Sequence, residues 1–234
     1  MAVVGFDTAT ADTTAGATRG GSVLVEELIG AAEDGPRHST ALLAAVERAA
    51  AAAGGWGEVG LLAVGLGPGS FVGIRIALAT AHGLAASTDL PLVGVGTLDA
   101  LGRGLREASG GELECLAVLD ARRGEVFAAL YAADGERIWE PFVAAPADLA
   151  ERLAERSAAP LAGGAGAVRF RQELTSRGAE IPDDHDPVHR VAARHVCALA
   201  EVAPPDMDGA LEPIYLRPPD AERWRDRDTS KRSD

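Results

Sequence analysis

The chain has 234 residues, of which 47% are hydrophobic, so it can bury a substantial core as one domain or as two lobes. Its formal net charge of −13, from 35 acidic and 22 basic residues, opposes independent binding to a phosphate backbone. The basic residues form short groups such as Arg122-Arg123, so a partner would have to hold any RNA.

The first residues of the chain predict a strand. They lack the basic region and cleavage pattern of a signal peptide. No uninterrupted apolar stretch of about eighteen residues occurs, which predicts that no helix spans a membrane. We therefore expect a cytoplasmic protein.

In the first region, strands at Val3–Asp7 and Ser22–Leu28 are predicted to pair across a turn rich in Thr, Ala and Gly. Ser39 is placed to cap a helix over residues 41–53. Gly54-Gly55 then gives that helix a natural end.

A glycine-rich turn, residues 67–75 (GPGSFVGIR), lies between an apolar strand at 60–66 and a predicted helix at 72–86. It has no lysine, which excludes a Walker phosphate loop. A dinucleotide fingerprint fits poorly, because Pro68 lies inside the turn and Asp89 precedes the next strand instead of ending it. Spacing alone favours a tight connection that serves packing.

The second region opens with a predicted hairpin, formed by Leu116–Asp120 and Glu125–Tyr131 around residues 122–124. Gly163-Gly164-Ala165-Gly166 is typical of a turn between a strand and a helix. Residues 191–202 have a helical pattern.

Neither the cysteines nor the histidines predict a metal site. Cys115 and Cys197 fall in apolar segments and are expected to be buried thiols. His185 and His189 have the spacing of a helical zinc pair, but Pro187 breaks such a helix, so we expect an exposed loop.

Five segments in order carry a resemblance to a known family: residues 6–10 (FDTAT), 67–76 (GPGSFVGIRI), 91–101 (PLVGVGTLDAL), 120–127 (DARRGEVF) and 213–217 (PIYLR). Together they resemble the TsaB family, also called YeaZ, whose members help to make threonylcarbamoyladenosine in tRNA. The departures are modest: Val72 stands for the usual threonine, Phe127 for tyrosine and Gly96 for a common serine.

The resemblance implies an α/β fold of the two-lobed actin, hexokinase and Hsp70 (ASKHA) type, with mixed sheets flanked by helices. We expect a first lobe at 1–99, a second at 112–203, and a C-terminal segment at 204–234 that ends in a disordered tail. The tail from 220 onward has no assigned role.

In active members of that superfamily, two hairpins clasp the phosphates of ATP, and here they would lie at Asp7 and Asp120. Residues 8–10 and 121–123 place side chains where glycines would normally lie, which predicts a vestigial nucleotide site with no cofactor, no metal and no catalytic residue. Each aspartate would then cap its own turn. The alternative is that paired carboxylates hold magnesium or act as a general base.

The resemblance also implies that first-lobe helices pair with those of a catalytic sister protein, or with a second copy of this chain. Small and apolar residues at helical spacing fit that use. The same residues could instead pack only on their own sheet. The predicted interface residues are Leu42, Leu43, Val46, Gly73, Ile74, Ala77, Leu78 and Ala81.

The function implied is that of a non-catalytic scaffold in the bacterial complex that forms N6-threonylcarbamoyladenosine at position 37 of tRNAs reading codons that begin with A. The implied partners are a TsaD-type transferase and a TsaE-type ATPase, with tRNA bound only through the complex. The alternatives are a small-molecule phosphotransferase of the same superfamily, a metallopeptidase, or a regulatory homodimer.

Overall fold

The computed structural model describes residues 1–33, 35–204 and 211–217. The predicted tail from 220 onward lies outside these residues. The described strands are β1 Ala2–Asp7, β2 Thr13–Arg19, β3 Ser22–Ile29, β4 Val59–Gly65, β5 Leu92–Val95, β6 Cys115–Asp120, β7 Val126–Tyr131, β8 Arg137–Ala144 and β9 Leu161–Gly163. The described helices are α1 His38–Ala52, α2 Phe71–Thr88, α3 Thr97–Ala108, α4 Pro146–Ala154, α5 Ala165–Arg169, α6 Arg171–Thr175 and α7 Ala193–Ala200.

The strands form two mixed sheets that repeat one topology. The first sheet has the order β3-β2-β1-β4-β5. Its strands β1, β2 and β3 are antiparallel neighbours, β4 pairs in parallel with β1, and β5 pairs in parallel with β4. In the second, with the order β8-β7-β6-β9, β6, β7 and β8 are antiparallel and β9 is parallel to β6. Each half thus begins with a hairpin whose first strand lies at the centre of its sheet.

The predicted pairing of the first strand with Ser22–Leu28 is wrong. The segment interpreted as a turn is itself strand β2, which lies between β1 and β3. All residues of β2 except Arg19 are buried. They are alanine, glycine and threonine, because helices α1 and α7 pack closely on the two faces of the strand. The sequence TTAGATR therefore has none of the large apolar residues by which a strand is usually identified.

Helices cover both sheets in layers. Helices α1 and α2 pack on one face of the first sheet, around Phe6 and Leu62. Helices α3 and α7 lie between the sheets and share a core with strands of both. Helices α4 to α6 cover the outer face of the second sheet. The lobe limits expected from the sequence stay a prediction, and α7, which lies in the second expected range, packs on the first sheet.

Helix α1 begins earlier than predicted. Its N-cap residue is Arg37, without a side-chain hydrogen bond, so Ser39 does not cap the helix. Instead His38 is buried in the first turn of the helix, and its Nδ1 lies 2.8 Å from the Thr13 hydroxyl. The predicted end at Gly54-Gly55 is confirmed, and both glycines have positive φ.

Helix α2 bears on the expectation that no helix spans a membrane. Among the described residues, this 18-residue helix is long and apolar enough to cross a membrane by length and composition, with a mean hydropathy of 1.2. In the fold, its inner residues pack in the first-lobe core, but only 28% of the helix is buried. Its other residues are half-buried or exposed.

Both cysteines are buried and free, as predicted. Cys197 on α7 packs on Gly5 of β1, where a Cβ would lie 2.6 Å from its sulfur. Burial raises the pKa of the Cys197 thiol to about 12, which keeps it protonated at neutral pH.

Candidate functional site

The first candidate position is the turn after β1, residues 8–12, which we call the first turn. Asp7 immediately before it is 1% exposed. One carboxylate oxygen accepts a hydrogen bond from the Ala9 N–H at 2.6 Å, and the other accepts from the Thr97 hydroxyl at 2.7 Å. Thr97 in turn accepts from the Gly67 N–H at 3.1 Å. Asp7 therefore ties the first turn to the start of α3 and to the glycine-rich turn.

The glycine-rich turn packs directly on the backbone of the first turn. A Cβ at Gly73 would lie 1.9 Å from the Thr8 carbonyl oxygen, and a Cβ at Gly69 would lie 2.1 Å from that of Ala9. The Ser70 N–H donates to the Ala9 carbonyl at 2.7 Å, and the Thr8 hydroxyl donates to the Gly73 carbonyl at 2.7 Å. These glycines are thus required for close packing of the protein on itself, as spacing alone favoured.

The environment of Asp7 limits what its carboxylate can do chemically. Burial raises its pKa to about 6, although the bonds from Thr97 and Ala9 lower it. Such a pKa would suit a general base. A base must also reach a substrate, however, and Asp7 has both oxygens bonded inside the protein and almost no exposed surface. This geometry fits the turn-capping interpretation.

The second candidate position is the hairpin turn between β6 and β7, residues 121–125, which we call the second turn. Asp120 precedes it and accepts a hydrogen bond from the Arg122 N–H at 2.8 Å. Its other oxygen accepts from Arg169 of α5 at 2.8 Å. The two aspartates therefore occupy equivalent places but have separate partners, and each caps its own turn.

The second turn has an unusual backbone. Arg122, Arg123 and Gly124 have φ values of 62°, 56° and 77°, in the left-handed region. Glycine adopts this region readily, whereas a residue with a Cβ pays about 1–2 kcal/mol. The structure thus places two arginines where turn chemistry favours Asn, Asp or Gly.

The closing segment, residues 213–217, connects the glycine-rich turn to the second turn. The Ile214 N–H donates to the Leu66 carbonyl at 2.9 Å, next to the glycine-rich turn. The Tyr215 ring lies 5.2 Å from that of Phe71, between centroids. Arg217 then donates to the Ala121 carbonyl at 3.0 Å and pairs with Glu125 in the second turn.

The histidine prediction is wrong for His189, which is 7% exposed and not in an open loop. Its Nδ1 accepts from the Gly164 N–H at 3.2 Å, so its Nε2 carries the proton that faces the Asp183 carbonyl at 3.0 Å. Both ring nitrogens are used within the protein. Within the described residues, no group of three or more His, Cys, Asp or Glu side chains is placed to hold a metal ion. The turn predicted at Gly163–Gly166 does connect β9 to α5.

The predicted interface residues face mostly inward. Seven of the eight are buried against the first lobe's own core: Leu42, Val46, Gly73, Ile74, Ala77, Leu78 and Ala81. Leu43 alone of the eight is exposed, at 55%. The stated alternative, that these residues pack on their own sheet, therefore describes the seven, because the small and apolar spacing marks the core-facing side of each helix.

The outer face of α2 is also apolar, and the helical spacing in the sequence does not distinguish it from the inner face. Val72 is 64% exposed, Ala79 and Gly83 are exposed, and Ile76 is half-buried. These four residues recur at spacings of three and four, and we call them, with Leu43 of α1, the outer helical face. Arg75 is the only Asp, Glu, Lys or Arg in α2.

Comparison with known proteins gives a consistent family. The family model of the tRNA N6-adenosine threonylcarbamoyltransferase, TsaD, matches residues 33–176, more than half of the chain. An uncharacterized protein of Mycobacterium tuberculosis is 33% identical over 222 residues, which cover 94% of this chain and 93% of that protein. The Escherichia coli tRNA threonylcarbamoyladenosine biosynthesis protein TsaB is 44% identical over 82 residues. That alignment spans 35% of this chain and 35% of the E. coli protein, so it covers about a third of each.

Solved structures define the fold. Two structures of YeaZ or a YeaZ-like protein from Pseudomonas aeruginosa have TM-scores of 0.71 and 0.74, and each match covers 92% of this chain and 99% of theirs, at 24% identity. The ethanolamine utilization protein EutJ of Carboxydothermus hydrogenoformans has a TM-score of 0.50 at 17% identity. The molecule is an ASKHA-type α/β protein, as predicted. With the sequence matches, the chain belongs to the TsaB (YeaZ) family.

Proposed function

We propose that this chain is a non-catalytic scaffold subunit in the cytoplasmic formation of N6-threonylcarbamoyladenosine in tRNA. Family membership supports the pathway, because three relatives carry the name of a tRNA threonylcarbamoyladenosine biosynthesis protein. The match to the transferase family model supports a shared ancestry with the catalytic subunit. The chemistry would then belong to a TsaD-type transferase, with a TsaE-type ATPase as a further partner.

The observation that carries the proposal is the outer helical face. A helix that covers a sheet needs one apolar side, whereas α2 is apolar or small on both. An exposed apolar surface of this kind marks a contact with another protein. Gly83 has nothing within 4 Å of where its Cβ would lie, so a partner helix can approach the backbone closely there. The same face would support a homodimer when the transferase is absent.

The first turn supports a role without ATP chemistry in this subunit. The backbone that would clasp phosphates in an active superfamily member instead contacts the glycine-rich turn through the Thr8 and Ala9 carbonyls. The Ala9 N–H, one of the amides a phosphate would need, donates to Asp7. The alternatives, a phosphotransferase or a metallopeptidase, predict ATP-dependent phosphorylation or metal-dependent hydrolysis by the purified protein.

The test is size-exclusion chromatography with light scattering, for this protein alone and mixed with the TsaD-type transferase of the same organism. We expect a new complex that Ala79→Arg abolishes, because Ala79 is exposed on the outer helical face. Ala77→Arg is unsuitable, since Ala77 is fully buried and the variant would fail to fold. The matched control is Ala154→Arg, at an exposed alanine of helix α4 in the second lobe. Wild-type protein that stays separate from the transferase, with and without the ATPase and ATP, contradicts the proposal.

A further inference from the structure

A strip of arginine and aromatic side chains runs from the start of α2, along the closing segment, to the second turn. We call it the arginine–aromatic strip. It consists of Phe71, Arg75, Arg122, Arg123, Tyr215 and Arg217. In the sequence these residues are scattered over almost 150 positions, and only the fold brings them together.

The aromatic end of the strip is open to solvent. Phe71 and Tyr215 are 38% and 39% exposed, and their rings lie 5.2 Å apart between centroids, tilted by 34°. The Arg75 guanidinium lies 3.8 Å from the centre of the Phe71 ring. Exposed aromatic faces next to arginine are the surfaces on which unpaired bases stack.

The closing segment joins this end to the second turn through direct contacts. Ile214 is hydrogen-bonded to Leu66 in the first lobe. Arg217 is hydrogen-bonded to Ala121 and forms an ion pair with Glu125 in the second lobe. The closing segment therefore joins the aromatic end of the strip to the second turn.

The second turn contributes positive charge that the local carboxylates do not neutralise. Asp120 is paired with Arg169, and Glu125 is paired with Arg217. Within the described part of the chain, no carboxylate pairs with Arg122, which is exposed. Arg122 therefore adds a positive charge beside these two ion pairs, on a chain whose net charge is −13.

The backbone of the second turn indicates that Arg122 serves something other than folding. Arg122 and Arg123 have left-handed φ values that glycine or asparagine would adopt at lower cost. Strain of this kind persists where a side chain is needed in a particular place. The hydrogen bonds that Arg122 makes within the turn do not require an arginine, because those to Asp120 and Glu125 use its backbone N–H and carbonyl.

We propose that the arginine–aromatic strip binds RNA directly, with the arginines on the phosphates and Phe71 and Tyr215 against an unpaired base. This inference rests on the proposed function, in which the complex acts on tRNA, and it changes the expectation that tRNA is held only through the partners. The strip begins at the first residue of α2, so RNA held by a partner on the outer helical face would lie within its reach. The negative charge elsewhere on the chain keeps the isolated interaction weak and dependent on salt.

The experiment measures fluorescence anisotropy of a labelled anticodon stem–loop RNA, titrated with the full-length protein at several low salt concentrations. Arg122→Gly is the main variant, because glycine accepts the left-handed φ and the variant should melt no lower than wild type. We expect its affinity to fall about fivefold and the slope of log affinity against log salt to shrink by about one phosphate contact. Tyr215→Leu should weaken binding while leaving the slope unchanged. The matched control is Arg103→Gln, an exposed arginine of α3 outside the strip, which should bind like wild type.

The outcomes separate this inference from the proposed function, because co-elution with the transferase is measured on the same variants. Loss of RNA affinity in Arg122→Gly but not in Arg103→Gln, with co-elution intact, supports the strip. Absence of salt-dependent RNA binding by wild type, or equal effects of the two arginine variants, overturns it. An Arg122→Gly variant that no longer co-elutes but binds RNA normally makes the strip a contact for an acidic protein surface, and it also overturns the RNA assignment. Failure of wild type to co-elute counts against the proposed function alone.

Discussion

The first and second turns occupy equivalent places in the four-stranded arrangement that the two sheets share, yet one turn is covered and the other is open. Each follows the central strand of a four-stranded unit and each is capped by the aspartate that ends that strand. The first is covered by the glycine-rich turn, and its aspartate is 1% exposed. The second is open, carries Arg122 and Arg123, and has an aspartate paired with an exposed arginine.

The difference shows how one scaffold serves two purposes. Gly69 and Gly73 let the glycine-rich turn approach the backbone of the first turn, so the first turn becomes a packing contact between elements. In the second, the left-handed backbone projects charged side chains into solvent. Substitutions in the first turn should therefore change stability, and those in the second should change stability little.

The largest effect is expected from Gly73→Ala, which would place a Cβ 1.9 Å from the Thr8 carbonyl oxygen. Because that oxygen belongs to the buried backbone, the helix must shift, and we expect a loss of about 3 kcal/mol or more in the free energy of unfolding. Gly83→Ala in the same helix is the matched control, since its Cβ meets open space. The control should gain about 0.5–1 kcal/mol from helix propensity. Urea denaturation of both variants measures the two values, and similar values would contradict the packing role of Gly73.

The next effect concerns the pH dependence that Asp7 gives to stability. Its pKa rises from 3.8 to about 6 on folding, so the folded state favours the protonated carboxyl. The resulting stabilisation is fully present below pH 3.8 and is lost as the pH rises through 6. Relative to Asp7→Asn, which does not titrate, wild type should gain about 2 kcal/mol between pH 7 and pH 4. Denaturation at several pH values measures this difference, and a constant offset between the two proteins would contradict the buried environment.

The sequence predicted the elements around the first turn well because their signals are local. A continuous apolar run, three glycines and a small-residue helix lie within about thirty residues, and the structure has β4, the turn and α2 there. Strand β2 was missed because tight burial on both faces selected alanine, glycine and threonine, which also compose turns.

The surface residues could not be predicted for a different reason. Periodicity identifies the faces of a helix but does not say which face meets the sheet when both are apolar. The predicted interface residues therefore include buried Ala77 and not exposed Ala79. The arginine–aromatic strip has no local signal at all, since Phe71, Arg122 and Tyr215 come together only through the tertiary fold.

A smaller effect, of opposite sign, is expected in the second turn. Arg122→Gly should raise the free energy of unfolding by about 1 kcal/mol, because glycine adopts φ of 62° without the cost that a Cβ brings. Gly124→Ala is the companion variant and should lose about 1 kcal/mol, since Gly124 has φ of 77°. Thermal and urea denaturation test both variants. A loss of stability in Arg122→Gly would mean that the arginine side chain supports the fold, and it would remove the argument from strain.

The smallest effect is expected from Asp120→Asn, the same substitution as in the first turn. Asparagine keeps an oxygen that can accept the Arg122 N–H, so the turn retains its cap. The variant loses the ion pair with Arg169, whose side chain is 49% exposed, and such a pair contributes only about 0.5 kcal/mol in water. That contribution should shrink further as salt is added, because the charges are screened. A salt series of urea denaturation curves measures it. A loss in the free energy of unfolding as large as that for a buried group would show that the second turn is also a packing contact between elements. The two turns would then differ in exposure but not in role.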